Sequence, residues 1–148
     1  QLATQLDEKF GKPRKTVLSQ KDVPGLSRGA VPVLAKHGVR ALHIGVNDFC
    51  TVPAAPFSSP SYHAACSAFV WKQAQDSVLV YYCSGYSQSA AYPEMLLDNV
   101  PGLTHGLAFL MHVDNSGPHT PEEVKAGWAG LRLIYPKADI FVSSLDNF

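Results

Sequence analysis

The residues of this 148-residue chain best suited to chemistry are polar side chains placed just after short apolar runs. Asp22 follows residues 16–20, Asn47 and Asp48 follow residues 39–46, and Asp114 and Asn115 follow residues 105–113. If those runs are parallel strands, the loops after them converge on one crevice, where α/β folds place their sites. Asp22 and Asp114 would then face one pocket as a carboxylate pair, one as nucleophile or metal ligand and the other as general acid. A turn or a helix cap is the commoner duty of a single Asp after a strand, so both readings stand at this point.

Other chemistries find less support. The histidines, His37, His43, His63, His105, His112 and His119, show no HxxxH or HxH spacing that would set two imidazoles on one metal. His43 and His112 fall inside apolar runs and read as core or barrel-lining residues, while His37 suits a helix C-terminus. Cys50, Cys66 and Cys83 lack a CxxC pair, and an odd count leaves one of them unpaired within the chain. Ser27 and Ser84 lack the Gly-x-Ser-x-Gly elbow of an ordinary esterase. Tyr81, Tyr82, Tyr86 and Tyr92 form an aromatic group that would stack on sugar rings or, as is commoner near a hairpin, serve packing.

The elements that must position these residues follow from periodicity. Leu2, Leu6 and Phe10 ahead of Gly11 have helical spacing with a C-terminal glycine. Residues 16–20 read as a strand, residues 27–38 as a helix whose first turn Pro32 delays or kinks, and residues 39–46 as a buried strand. This rhythm predicts βα units and a parallel sheet. Residues 47–67, with Pro53, Pro56 and Pro60, read as a long loop. Residues 68–72 and 78–83 predict a β-hairpin about a short polar turn. The run 105–113 is apolar enough for a buried central strand, and residues 139–145 read as a final strand. Between them lies the strongest local signal. Thr120 as N-cap, Pro121 at the first helical position and Glu123 completing a capping box open a helix with an apolar stripe of Val124, Trp128, Leu131 and Tyr135.

Composition sets the outer bounds. The chain is 46% hydrophobic, with 12 basic and 12 acidic side chains, which predicts one domain over residues 1–148. A net charge near zero supplies no field for phosphate, so neither nucleic acid nor an anionic membrane surface is an expected partner. No apolar stretch approaches the roughly 20 residues that cross a bilayer.

The stretch Ser19-Gln20-Lys21-Asp22-Val23-Pro24-Gly25-Leu26-Ser27, with residues 34–41 after it, resembles the catalytic domain of class II alpha-mannosidases, glycoside hydrolase family 38. More closely, it resembles an uncharacterised family related to them. Asp22 matches the position that serves those enzymes as nucleophile and zinc ligand. Residues 113–116, ahead of the Thr120 helix, resemble the segment that supplies their general acid, and residues 144–148 resemble the strand end after it. The resemblance implies an α/β fold, a partial (β/α) barrel of mostly parallel strands with a β-hairpin insertion, and a glycoside hydrolase acting on carbohydrate. Asp22 and Asp114 would be its catalytic pair, and Asn47, Asn115 and Tyr86 would contact substrate. Asn115 stands where the family has a second Asp, and an amide cannot act as the acid, so either Asp114 takes that role or the role is lost. The family's His-x-Asp zinc pair and late zinc histidine have no counterpart, so zinc on Asp22 is expected only if further ligands lie outside these residues. The alternative function is a non-catalytic carbohydrate-binding or interaction protein that keeps the fold without the metal site. The strands are too few to close a barrel, so self-association or the remainder of a longer chain is expected to cover the open edges.

Overall fold

A computed structural model of the chain describes residues 2–22, 26–46, 66–84, 102, 104–110 and 117–148. Its elements run α1 (Leu2–Lys9), β1 (Val17–Lys21), α2 (Ala30–Lys36), β2 (Ala41–Val46), β3 (Cys66–Gln73), β4 (Asp76–Ser84) and α3 (Pro121–Ile134). The architecture is mixed α/β. One open four-stranded sheet has the order β1-β2-β4-β3, with β1, β2 and β4 mutually parallel and β3 antiparallel to β4. The parallel strands, the hairpin and the three helices therefore lie where the sequence pattern puts them. Among the described residues the sheet has two free edges, β1 and β3.

The core occupies one face of this sheet. Val31 of α2, Leu42 and Ile44 of β2, and Val78 and Val80 of β4 are buried together, with Leu34, Phe69, Trp71 and Tyr82 packed around them. Alternation along each strand sends these residues to one side and leaves Ser19, His43 and Tyr81 on the other. α2 lies over β4 and β3. Pro32 falls within its first turn, where a missing amide leaves no helical bond unmade. Its end is made by His37, whose amide bonds to Val33 O and Leu34 O, and by Gly38 at φ 79°. A side chain there would be strained and would meet Arg14, which donates from Nη2 to His37 O at 2.6 Å.

α3 carries the expected capping box. The Glu123 amide donates to Thr120 Oγ1 at 3.3 Å, and the Thr120 amide donates back to Glu123 Oε2 at 2.7 Å. Of its apolar stripe Leu131 is buried, Trp128 and Tyr135 are half-buried, and Val124 is 41% exposed. α1 buries none of Leu2, Leu6 or Phe10; it is tied down instead by Asp7, which accepts from the Lys15 amide at 3.0 Å and from Lys15 Nζ at 3.2 Å.

Two expected strands do not form over the residues described. Residues 104–110 are in no ladder, although Gly106 to Leu110 are half-buried as their apolarity requires. Phe109 lays its ring on His43, so this run covers a sheet face and does not extend the edge. Residues 139–144 are likewise outside the sheet, with Phe141 and Val142 exposed, and 145–147 form a turn. That turn holds Asp146, whose Oδ1 accepts from the Thr16 amide at 2.5 Å, the Thr16 hydroxyl at 2.9 Å and the Val17 amide at 3.2 Å. The C-terminal segment thus clasps the start of β1 through a side chain where a ladder was expected. No helix among the described residues is long and apolar enough to cross a membrane.

Candidate functional site

The three parallel strands end at one edge of the sheet, which β3 enters from the opposite direction. The last rung runs Lys21, Gly45, Cys83, Cys66. Asp22 leaves β1 directly after it, with its amide donating to Gly45 O at 3.1 Å and its φ at 60°. A left-handed φ is sparsely populated by residues other than glycine, Asp and Asn tolerating it best. The backbone therefore turns sharply at Asp22, as soon as the ladder ends, and the residue is exposed at the sheet's C-terminal edge. This is the placement expected of a functional carboxylate in a parallel sheet. It is also a turn, the commoner duty of an Asp after a strand, and the geometry gives Asp22 that duty. Asn47, Asp114, Asn115 and Tyr86, the other residues expected at the site, lie outside the described residues. Among the described residues no group of three His, Cys, Asp or Glu side chains gathers as a metal cluster would.

One rung below the edge lies a second polar arrangement. Register sets Ser19 beside His43 and His43 beside Tyr81. Ser19 Oγ is 3.3 Å from His43 Nδ1. Phe109 stacks on the imidazole with centroids 4.5 Å apart and planes 23° apart, and Lys21 Nζ stands 4.6 Å from the Phe109 centroid, within cation–π range. His43 is 1% exposed. Burial, aided by the Lys21 charge, lowers its pKa from 6.5 to about 4, so the ring is neutral at pH 7. A ring held neutral by burial, with a weakly basic nitrogen toward Ser19, is a packed histidine buried on the sheet face opposite the aliphatic core and in contact with a surface hydroxyl. Of the two readings of His43, core or barrel-lining, its burial fits the first, and the four described strands form an open sheet with no barrel for it to line. Burial also raises the pKa of Tyr81 and Tyr82. Tyr81 meets Phe148 at 5.2 Å and Tyr82 packs on the core, so both serve packing here.

Sequence reasoning missed the Lys21–Phe109–His43 stack and the Ser19–His43 contact. Period-two spacing already places Ser19 and Lys21 on one face of β1, but which residue of β2 lies opposite is a matter of register. No protein-family model, curated protein or solved structure matches the chain.

Proposed function

We propose that this protein is a carbohydrate-active glycoside hydrolase whose sheet is part of a (β/α) barrel and whose site lies at the C-terminal edge of β1, β2 and β4. The observation that carries the reading is the placement of Asp22, exposed at a left-handed turn directly after a parallel strand and anchored to Gly45. Asp22 would attack the anomeric carbon, displacing the aglycone and forming a glycosyl ester, while Asp114 delivers a proton to the leaving oxygen. Water would then be deprotonated by Asp114 and release the sugar from Asp22 with net retention. Asn47, Asn115 and Tyr86 would hold hydroxyls and the sugar face. Asp22 is the one described residue that the resemblance assigns to zinc. A single carboxylate does not hold the ion, so zinc enters only with ligands from outside these residues, and no step above runs through it.

The test is hydrolysis of an aryl α-mannoside by the full chain and by Asp22→Asn. The expected result is turnover by the unaltered protein, lost in the amide variant, which has the same shape but cannot form a glycosyl ester. Full activity in Asp22→Asn overturns the proposal. Saturable sugar binding without turnover in the unaltered protein also overturns it, in favour of a carbohydrate-binding protein that keeps the fold alone.

A further inference from the structure

The net charge near zero is made of two unlike parts. Residues 9–40 hold eight basic side chains against one carboxylate, Asp22, which leaves the sheet where its parallel strands end. Cations gather at the other end. Lys12, Arg14 and Lys15 precede β1, and Lys36 and Arg40 flank the connection from α2 to β2, so both groups stand where parallel strands begin. Two bonds hold these loops side by side: Arg14 Nη2 donates to His37 O at 2.6 Å, and the Arg40 amide donates to Thr16 O at 2.8 Å. Lys15 is paired with Asp7 at 3.2 Å. Lys12, Arg14, Lys36 and Arg40 are exposed, and none has a carboxylate of the described residues within ion-pair distance. A cluster of like charge that folding leaves unneutralised attracts an anionic partner.

The same surface has an apolar part. Leu2, Leu6 and Phe10 recur at every fourth position, and the Phe10 amide bonds to Leu6 O, so the three form one stripe along α1. An amphipathic helix ordinarily turns such a stripe to the core. α1 does the reverse. Thr4 and Asp7 are its half-buried residues, while Leu2, Leu6 and Phe10 are 69%, 45% and 64% exposed. The bonds from the Lys15 amide and Nζ to Asp7 fix that orientation and join the helix to the cationic loop that follows it.

The two parts select the partner. A nucleic-acid backbone offers nothing apolar to the stripe. A continuous anionic surface, such as a layer of lipid headgroups, would meet a like charge in Glu8, which is exposed on α1 itself. A chain segment that is apolar on one side and acidic on the other answers both parts. From the stripe and the cations together we infer that α1 and the loops at 10–16 and 36–40 form a docking surface for an acidic amphipathic segment of another protein. Its apolar side covers the α1 stripe, and its carboxylates pair with Lys12, Arg14, Lys36 and Arg40. The surface lies at the end of the sheet remote from Asp22, so the inference holds whatever substrate the protein takes.

The test titrates the full chain into a labelled synthetic peptide with leucines on one side and glutamates on the other, read by fluorescence anisotropy. Saturable binding is expected, weakened by at least about tenfold when salt rises from roughly 0.05 to 0.5 M. Lys12→Glu, Lys36→Glu and Phe10→Ser should each weaken it by about threefold to tenfold, whereas Lys125→Glu, on α3, should leave it unchanged. No saturable binding, or binding that the first three variants leave as it was, overturns the inference. So does equal affinity for a peptide of glutamate alone, which leaves the stripe without a role. Binding of phosphatidylserine vesicles or of a DNA oligonucleotide, with none of the peptide, also overturns it, in favour of a membrane or a nucleic acid.

Discussion

Acid is expected to weaken this protein well above the pH at which its carboxylates titrate, and His43 supplies the reason. Its ring is 1% exposed, stacked on Phe109, and near the Lys21 ammonium through that ring. The native imidazole titrates at about 4, against 6.5 for a free histidine. The folded pKa is the lower one, so the unfolded chain takes up a proton that the native state refuses. Stability is therefore full above pH 6.5 and falls as the pH drops toward 4. At pH 5 the unfolded imidazole is mostly protonated and the native one mostly neutral, which favours unfolding by about thirtyfold, or about 2 kcal/mol. The cost reaches about 3 kcal/mol at pH 4 and levels off about one pH unit lower, where the native ring is protonated too. The assay is urea unfolding of the unaltered protein and of His43→Gln at pH 8, 6 and 5. Glutamine does not titrate and can still meet the Ser19 hydroxyl, and the carboxylates titrate alike in both proteins and cancel in the comparison. The unaltered protein is expected to lose about 2 kcal/mol more than the variant between pH 8 and pH 5, with the same denaturant slope. Parallel pH profiles for the two proteins, or an imidazole proton resonance that titrates near 6.5 in the folded state, would refute the reasoning.

Asp146→Ala removes the shared acceptor of the Thr16 amide and hydroxyl and the Val17 amide. It should lower the unfolding free energy by roughly 1.5–3 kcal/mol, read from the urea midpoint, and an unchanged midpoint sinks the clasp. Burial pushes the Asp146 carboxyl up, but those Thr16 and Val17 bonds and the Lys15 charge outweigh it and hold the group below the usual carboxylate range. Its contribution is thus present above the unfolded pKa and lost as pH falls through the lower folded value, so the alanine variant should show a shallower acid limb. Ala74 holds φ 54° at the first position of the hairpin turn, where a side chain is disfavoured. Ala74→Gly should raise stability by about 0.5–1 kcal/mol, the relief of the left-handed alanine less the extra freedom of glycine in the unfolded chain. A lowered thermal midpoint would count against that turn.

What could be read directly from the sequence was what is decided locally. Thr120, Pro121 and Glu123 lie within four residues and define the start of α3 without reference to anything else. The hairpin is equally local, two β-rich runs about a short turn. The runs 105–113 and 139–145 read as strands, yet their described residues join no ladder, because apolarity asks only for burial whereas a strand needs a partner that periodicity does not name. Asp146 shows the same limit, since its partners Thr16 and Val17 lie about 130 residues earlier in the chain. At the candidate site the carboxylate after β1 was legible; its left-handed turn and its tie to Gly45 were not, because both depend on the β1–β2 register.

That register follows from the core. Leu42 and Ile44 must join Val31, Val78 and Val80 on the α2 face. A slip of one residue would send them to the opposite face and bring His43 into the core, at the cost of burying an imidazole among aliphatic side chains. Once the apolar residues hold β2 in place, His43 lies opposite Ser19 and Tyr81, and Gly45 opposite Lys21 and Cys83. The hairpin, whose Val78 and Val80 are in the same core, then brings Cys66 to Cys83. The polar rows of the sheet and its last rung are thus consequences of burying five aliphatic side chains on the other face. Substitutions in that core should therefore disturb the Ser19–His43 contact without touching it.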